Sequence, residues 1–253
     1  AAASNDNSIA IGTNATSSDS AAIAIGYDSK AGNTGTVAIG YGANVTGYTS
    51  VAIGNSATAT GGTSVVIGDG ASSTVGLGTA LGRGAKANHE GSVALGAQSE
   101  TSAANSTSTM TVAGKSYTLA GGTANGTVSI GSASKKRTIT NVAAGTVSAT
   151  STDAINGSQL YGVANTLGNL ASTTKGLLGG NAALDPDTGN LSMSNIGNTG
   201  KGTIHDAIKF NKDTIDKGLN FDANTGGAKN NLLGSKVTIK GDGSNINAEI
   251  TQA

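Results

Sequence analysis

The 253-residue sequence predicts an all-β-dominated fold, a parallel β-roll of 14-residue repeats followed by a helical segment and a small α+β module. Three observations predict it. A five-residue phrase, Ser-Val-Ala-Ile-Gly with close variants, closes on glycine at positions 12, 26, 40, 54, 68, 82 and 96, a spacing of 14 without a slip. A short fixed period marks a solenoid, in which each repeat adds one coil. Within each period two short stretches alternate in side-chain size, as strands do. The composition, with 40 glycines, one proline, no tryptophan, two phenylalanines and 12% charged residues, leaves little material for a conventional core of large side chains.

Taken in order, the first stretch of each repeat reads Val/Ile-Ala-Ile/Leu, with its larger residues at i and i+2 and so on one face. The second carries small pairs at the same spacing: Ala15/Ser17, Ser29/Ala31, Ala43/Val45, Ala57/Ala59 and Ala85/Ala87. Two strands and two tight turns of Gly, Asn, Asp and Ser make a flattened coil. Large Val/Ile facing small Ala/Ser predicts a very thin core. Seven coils stacked at about 4.8 Å stand on the order of 34 Å tall. The alanines between the large residues (Ala10, Ala24, Ala38, Ala52, Ala80 and Ala94) are then expected on the opposite face. A column of alanines invites another sheet to approach, and a thin roll needs such a partner to bury area.

After Gly96 the beat breaks. The next match, Thr127 to Gly131, arrives 35 residues later, one period plus a 21-residue insertion. Thr109–Val112 and Tyr117–Leu119, alternating around Ala113-Gly114-Lys115-Ser116, read as a hairpin projecting from the last coil. Lys135-Lys136-Arg137, the only dense basic cluster, reads as a solvated or salt-bridged face. Thr150-Ser151-Thr152-Asp153 carries a helix-start signal. Leu160, Val163, Leu167, Leu170, Thr174 and Leu177 follow at spacings of 3, 4, 3, 4 and 3, a short coiled-coil seam interrupted by Gly162, Gly168 and Gly176 and closed by Gly179-Gly180. Further on, Thr203 to Ile208 with Asn211 and Ile215 reads as an amphipathic helix. Leu219–Phe221, Lys236–Lys240 and Ile246–Ile250 read as strands.

The sequence offers little chemistry. A formal charge of zero gives no basic face for nucleic acid. No apolar run approaches the ~18 residues of a spanning helix. Zero cysteines exclude disulfides and thiolate metal sites. His89 and His205 lie in unrelated segments without triad partners. Gly197 to Thr203 fails the phosphate-loop pattern, since Asn195 stands where a glycine is required and Gly202 follows Lys201. Asp185-Pro186-Asp187-Thr188-Gly189 lacks the later ligands of a calcium loop and reads as a turn. Thr and Ser form no regular outward ladder of the kind an ice-templating surface needs, and the period does not divide by six as in hexapeptide acyltransferases. The sequence thus predicts no enzyme, cofactor or metal. It has neither an initiator Met nor a signal peptide, and reads as a fragment of a longer or processed protein.

The Ser-Val-Ala-Ile-Gly repeats resemble the head of YadA-like trimeric autotransporter adhesins, as does the hairpin-bearing last repeat. The string Ile139-Thr140-Asn141-Val142-Ala143-Ala144-Gly145 through Thr150-Ser151-Thr152-Asp153-Ala154-Ile155-Asn156-Gly157-Ser158-Gln159-Leu160-Tyr161 resembles that family's neck motif. Gly200 to Ile208 and Gly218 to Ile239 are similar to its Trp-ring and GIN head modules, although this chain has no Trp. The resemblance implies a left-handed parallel β-roll in a homotrimer over residues 1–131, with the hairpin insertion near 101–121. It further implies a neck over 132–157, a trimeric coiled coil over 158–180 and small head modules over 181–253. It also implies a bacterial surface protein held in the outer membrane by a C-terminal anchor that this sequence does not contain. The function it implies is a virulence-type one: attachment to host extracellular matrix, host cells or other surfaces by multivalent contacts. The alternative is a spacer that displays a binding module elsewhere. Residues that vary between repeats (Tyr27, Asp28, Tyr41, Tyr48, Arg83, His89 and Glu90) are the candidate contacts. Ala24, Ala38, Ala52, Ala94, Leu160, Val163, Leu167 and Leu170 are the candidate trimer-packing residues.

Overall fold

A computed structural model describes residues 1–221, 229–236 and 238. It divides the chain into two compact units, Ala1–Asn156 and Gly157–Ala253.

The first unit is a parallel β-solenoid with two sheets. Three-residue strands from Ile9–Ile11 to Val93–Leu95, joined by Val128–Ser129, build an eight-stranded sheet. Two-residue strands from Ala2–Ala3 to Lys86–Ala87 build a seven-stranded one. The period fixes the register: Ala24 pairs with Ala38 and Ala38 with Ala52 in one sheet, Ser17 with Ala31 and Ala31 with Val45 in the other. Each coil turns two corners through left-handed backbone, at Asn14, Asp28, Ser56 and Gln98 on one side and Ala21, Thr49, Thr63 and Leu77 on the other. At the second corner the side chains of Asp19 and Asn33 accept the N–H of the residue after each, at 2.7 and 2.9 Å.

The glycine that ends each phrase is a structural necessity. From Gly12 to Gly82 these residues hold φ between +122° and +142°, and the column stacks glycine on glycine. A Cβ on Gly54 would lie 2.6 Å from the carbonyl carbon of Gly68. No other residue has both the backbone freedom and the missing side chain.

The interior corrects the expected facing of the strands. Ala24, Ala38, Ala52, Ala80 and Ala94 are 0% exposed and lie inside the roll. Thr36, Ser50, Ser64 and Ser92 lie inside with them, opposite Ala15, Ser17, Ser29, Ala31, Ala43, Val45, Ala57 and Ala59. The larger Ile23, Ile25, Val37, Ile39, Val51 and Ile53 point outward and stay partly exposed. Small side chains fill the space between two sheets folded from one short coil, with Val45 and Val66 the largest enclosed. The interior hydroxyls find carbonyls: Ser17 Oγ donates to Ala22 O at 2.7 Å, Thr36 Oγ1 to Asn33 O at 2.6 Å and Ser50 Oγ to Gly61 O at 3.0 Å. Among the described residues no buried side-chain polar atom is left unpaired.

After the seventh glycine the chain leaves the roll. Thr109–Val112 and Lys115–Thr118 form the antiparallel hairpin, with Met110 opposite Tyr117. Its loop is the two-residue Ala113-Gly114, both at positive φ, so the second strand starts earlier than the expected Tyr117. The chain returns as Val128–Ser129 beside Val93–Ala94. Residues 132–156 form no regular element. The expected helix start at Thr150–Asp153 lies in this segment. The Asp153 carboxylate turns back to accept the Thr146 N–H at 2.9 Å, which draws its pKa below the ordinary value, and Asn156 donates to Val142 O at 3.1 Å.

The second unit begins with helix α1, Gly157–Leu178, which ends at Gly179 and Gly180, both left-handed. Ala183–Leu184 and Leu191–Ser192 form a hairpin around the Asp185 turn. Helix α2, Ile204–Asp216, has Thr203 as N-cap: its Oγ1 accepts the Asp206 N–H at 3.1 Å and donates to the Asp206 carboxylate at 2.7 Å. Lys209–Asp213 and Lys212–Asp216 are paired one turn apart along it. Thr203→Ala is expected to destabilise this unit by about 1 kcal/mol, read by chemical denaturation followed by helical circular dichroism. Leu219–Phe221 pairs antiparallel with Lys229–Asn231. The strands expected at Lys236–Lys240 and Ile246–Ile250 lie outside the described residues, apart from Lys236 and Thr238.

Candidate interaction surfaces

The outward side chains of the eight-stranded sheet form two in-register columns. One runs Ile9, Ile23, Val37, Val51, Val65, Thr79 and Val93. The other runs Ile11, Ile25, Ile39, Ile53, Ile67, Leu81 and Leu95. This wall is nearly all aliphatic, and no other part of the unit buries it. The seven-stranded sheet presents Thr16, Lys30, Asn44, Thr58, Ser72 and Lys86 instead, a polar column broken by two lysines. The roll therefore has one oily wall and one wet one. Ala24, Ala38, Ala52 and Ala94, expected at a chain–chain contact, are enclosed within their own chain. The face open to another molecule is the Val/Ile wall, which sequence reasoning assigned to the interior.

Helix α1 buries none of its residues. Its Leu160, Val163, Leu167 and Leu170 form one stripe, 62–66% exposed. Thr174, on the same stripe, turns its hydroxyl back to Leu170 O. This exposed apolar stripe keeps the 3-4 spacing of a coiled-coil seam.

The candidate contact residues fall on two different corners of the roll. Tyr27 and Tyr41 sit one coil apart on the corner after the glycine and stack on each other, ring centroids 5.2 Å apart and planes 10° from parallel. Each shields one face of the other, and both remain exposed. Arg83 lies exposed further down the same corner. Tyr48, on the second corner, lies over Gly62, where an added Cβ would meet its Cε1 at 2.8 Å. Lower on that side His89 is half-buried, its Nδ1 3.2 Å from Thr101 Oγ1, while Glu90 is exposed. The structure thus does not gather these residues into one site.

Nothing in the described residues assembles reactive groups. No cluster of three His, Cys, Asp or Glu is placed to hold a metal. A hollow of about 570 Å³ beneath the last coil is lined by Val128, Ile130, Lys136, Arg137 and one carboxylate, Glu100. Asp185 accepts the N–H groups of Asp187 and Thr188 at 2.8 and 3.1 Å, which lowers its pKa and makes Asp185–Gly189 a closed turn, as expected. Asn195 Oδ1 likewise accepts the Gly200 N–H at 2.7 Å in the stretch that failed the phosphate-loop pattern. No described helix is long and apolar enough to cross a membrane.

Against known proteins, the YadA head domain repeat matches residues 3–29, 20–43, 46–71, 77–99 and 90–108, and the coiled stalk of trimeric autotransporter adhesin matches 138–183. Trimeric autotransporter adhesin AtaA of Acinetobacter sp. (strain Tol 5) is 51% identical over 79 residues, 31% of this chain and 2% of that protein. Autotransporter adhesin BtaE of Brucella suis biovar 1 (strain 1330) is 50% identical over 76 residues, 30% of this chain and 10% of that protein. The chain spans a small fraction of either relative's length. Among solved structures, the C-terminal YadA-like domain of BPSL2063 from Burkholderia pseudomallei aligns at 33% identity and TM-score 0.39, covering 64% of this chain and 63% of that one. The collagen-binding domain of Yersinia adhesin YadA aligns at 28% identity and TM-score 0.38, covering 64% and 84%. With the head repeat matched along the roll, the stalk matched across α1, and two adhesins about half identical over the aligned stretch, the chain belongs to the YadA-like trimeric autotransporter adhesins.

Proposed function

We propose that this chain is one third of a homotrimeric adhesive head on a bacterial surface fibre. The observation that carries the reading is the Val/Ile wall. Burying such columns is worth about 1.5–3 kcal/mol per large aliphatic side chain, and three copies closing wall to wall around an axis bury them all. The bare stripe of α1 suits a three-stranded coil. In this arrangement residues 1–131 form the head, 132–157 the neck and 158–180 the coiled coil, with 181–253 a further small head of the Trp-ring or GIN kind. The polar walls and both corners then face outward three times over, and weak contacts sum by multivalency. The surface is one for attachment to matrix proteins, host cells or abiotic materials and performs no catalysis. The whole protein is displayed at the cell surface and held in the outer membrane.

Sedimentation equilibrium is expected to give three times the mass of the chain, and a stable folded monomer would overturn the assembly. Solid-phase binding to collagen, fibronectin, laminin and polystyrene tests the adhesive role, collagen first because a YadA domain bears that name. Binding that weakens severalfold on joint replacement Tyr41→Ser and Tyr48→Ser would place contacts on the corners. Absence of binding to every surface, with longer pieces of the fibre binding, would make this segment a spacer.

A further inference from the structure

The basic cluster Lys135-Lys136-Arg137 has no place in the adhesive reading, and no carboxylate pairs with it among the described residues. Its arginine instead touches backbone. The Arg137 guanidinium donates through Nη2 to Ala97 O at 2.6 Å, and through Nη1 to Ile130 O at 2.6 Å and Ser99 Oγ at 3.1 Å. Those acceptors are not arbitrary. Along the roll the carbonyl one residue after each phrase glycine accepts an N–H from the next coil: Thr13 O from Asp28, Tyr27 O from Gly42, Tyr41 O from Ser56, Arg83 O from Gln98. Ala97 O is the next in that series, and in place of a backbone N–H it takes the Arg137 guanidinium. Ser99 in turn donates to Leu95 O at 2.7 Å, the carbonyl that a following glycine N–H would have taken. The stacking column behaves alike. Each phrase glycine lies against the peptide of the next, but a Cβ on Gly96 would meet Arg137 Cζ at 3.3 Å and Nε at 3.5 Å.

We infer that Arg137 ends the solenoid by standing in for the corner backbone of the last coil, of which Val128–Ser129 supplies only the strand. In doing so it clamps both legs of the insertion, the outgoing one at Ala97 and Ser99 and the returning one at Ile130. The planar fork of donors suits this task, because it reaches two carbonyls at fixed separation and a lysine ammonium does not. Closing so long an excursion costs chain entropy, which a clamp at its base offsets. The same contact blunts the bottom edge of the roll, where unpaired backbone groups would otherwise template a strand from another molecule.

The test is hydrogen exchange on the whole chain, comparing wild type with Arg137→Ala, Arg137→Lys and Lys136→Ala. Arg137→Ala is expected to speed exchange of the Val93, Gln98 and Glu100 amides by about tenfold, with Ile23–Ile25 unchanged, as removal of charge-assisted hydrogen bonds predicts. Lys136→Ala is expected to match wild type. Equal rates at the last coil in Arg137→Ala, or equal acceleration by Lys136→Ala, would overturn the inference. If Arg137→Ala does not fold, Arg137→Lys decides: it keeps the charge and loses the fork, so faster exchange confined to the last coil supports the clamp and wild-type rates there sink it.

Discussion

Ile53→Glu is expected to leave each roll folded and to break the assembly into single chains. Ile53 projects from the middle of the Val/Ile wall, between Ile39 and Ile67 in the adjacent strands, and takes no part in the chain's own interior. A glutamate there remains solvated in the monomer. In a closed trimer three carboxylates would be shut into an aliphatic seam, at a cost of several kcal/mol per charge. Sedimentation should show the chain mass alone, with far-ultraviolet circular dichroism retained. A trimer that survives would show that the wall faces solvent. The test is sharpened by Ala52→Glu next door, which places the same charge inside the roll. That variant should lose the β signal itself.

Gly54→Ala is expected to destabilise the roll by on the order of 3 kcal/mol or more, read by chemical denaturation. The residue holds φ +139°, and a Cβ would meet the carbonyl group of Gly68 well inside contact distance. Backbone strain of this class costs about 1–3 kcal/mol before any clash is counted, and the obstacle is main chain that cannot swing aside. Gly42→Ala is the matched control. It sits at φ +61° with Ser56 Oγ as its nearest neighbour at 3.8 Å, and the equivalent corners of other coils already hold Asn14, Asp28 and Ser56. Its cost should be about 1 kcal/mol. Similar losses from both substitutions would deny the glycine column its role.

Much of this architecture was legible in the sequence. The glycine spacing sets coil number and strand register, since a parallel stack pairs each residue with its equivalent one period on. The insertion, the hairpin, the spacing of the α1 stripe and the Gly179-Gly180 stop were all readable from local pattern. The facing of the strands was not. Alternation in Ser50-Val51-Ala52-Ile53 says that neighbours point to opposite sides, and leaves open which side is inside. Assigning the larger residues inward follows the usual rule for a protein that folds alone. Here the space between sheets holds mostly alanine and serine, and the bulk is turned outward. The signal was present in the second strand, where Ala57 and Ala59 left no large partner to meet. The helix start at Thr150–Asp153 failed for a different reason. A short acidic residue near a helix can cap it or close a loop, and Asp153 takes the N–H of Thr146 instead. The corner residues Tyr27, Tyr41, Tyr48, Arg83 and His89 were identifiable as variable, but their separation onto two corners depends on the coil path.

The enclosed core of alanine, serine and threonine has a consequence for how such heads change over generations. In most proteins an added segment must find a matching cavity, because each core position has its own shape. This interior is built from nearly the same small side chains at every level, with Val45 and Val66 its largest. Loss or duplication of one whole period therefore removes or adds a storey without repacking the floors above and below. Height becomes an inheritable quantity that varies in whole steps, independent of which residues decorate the corners.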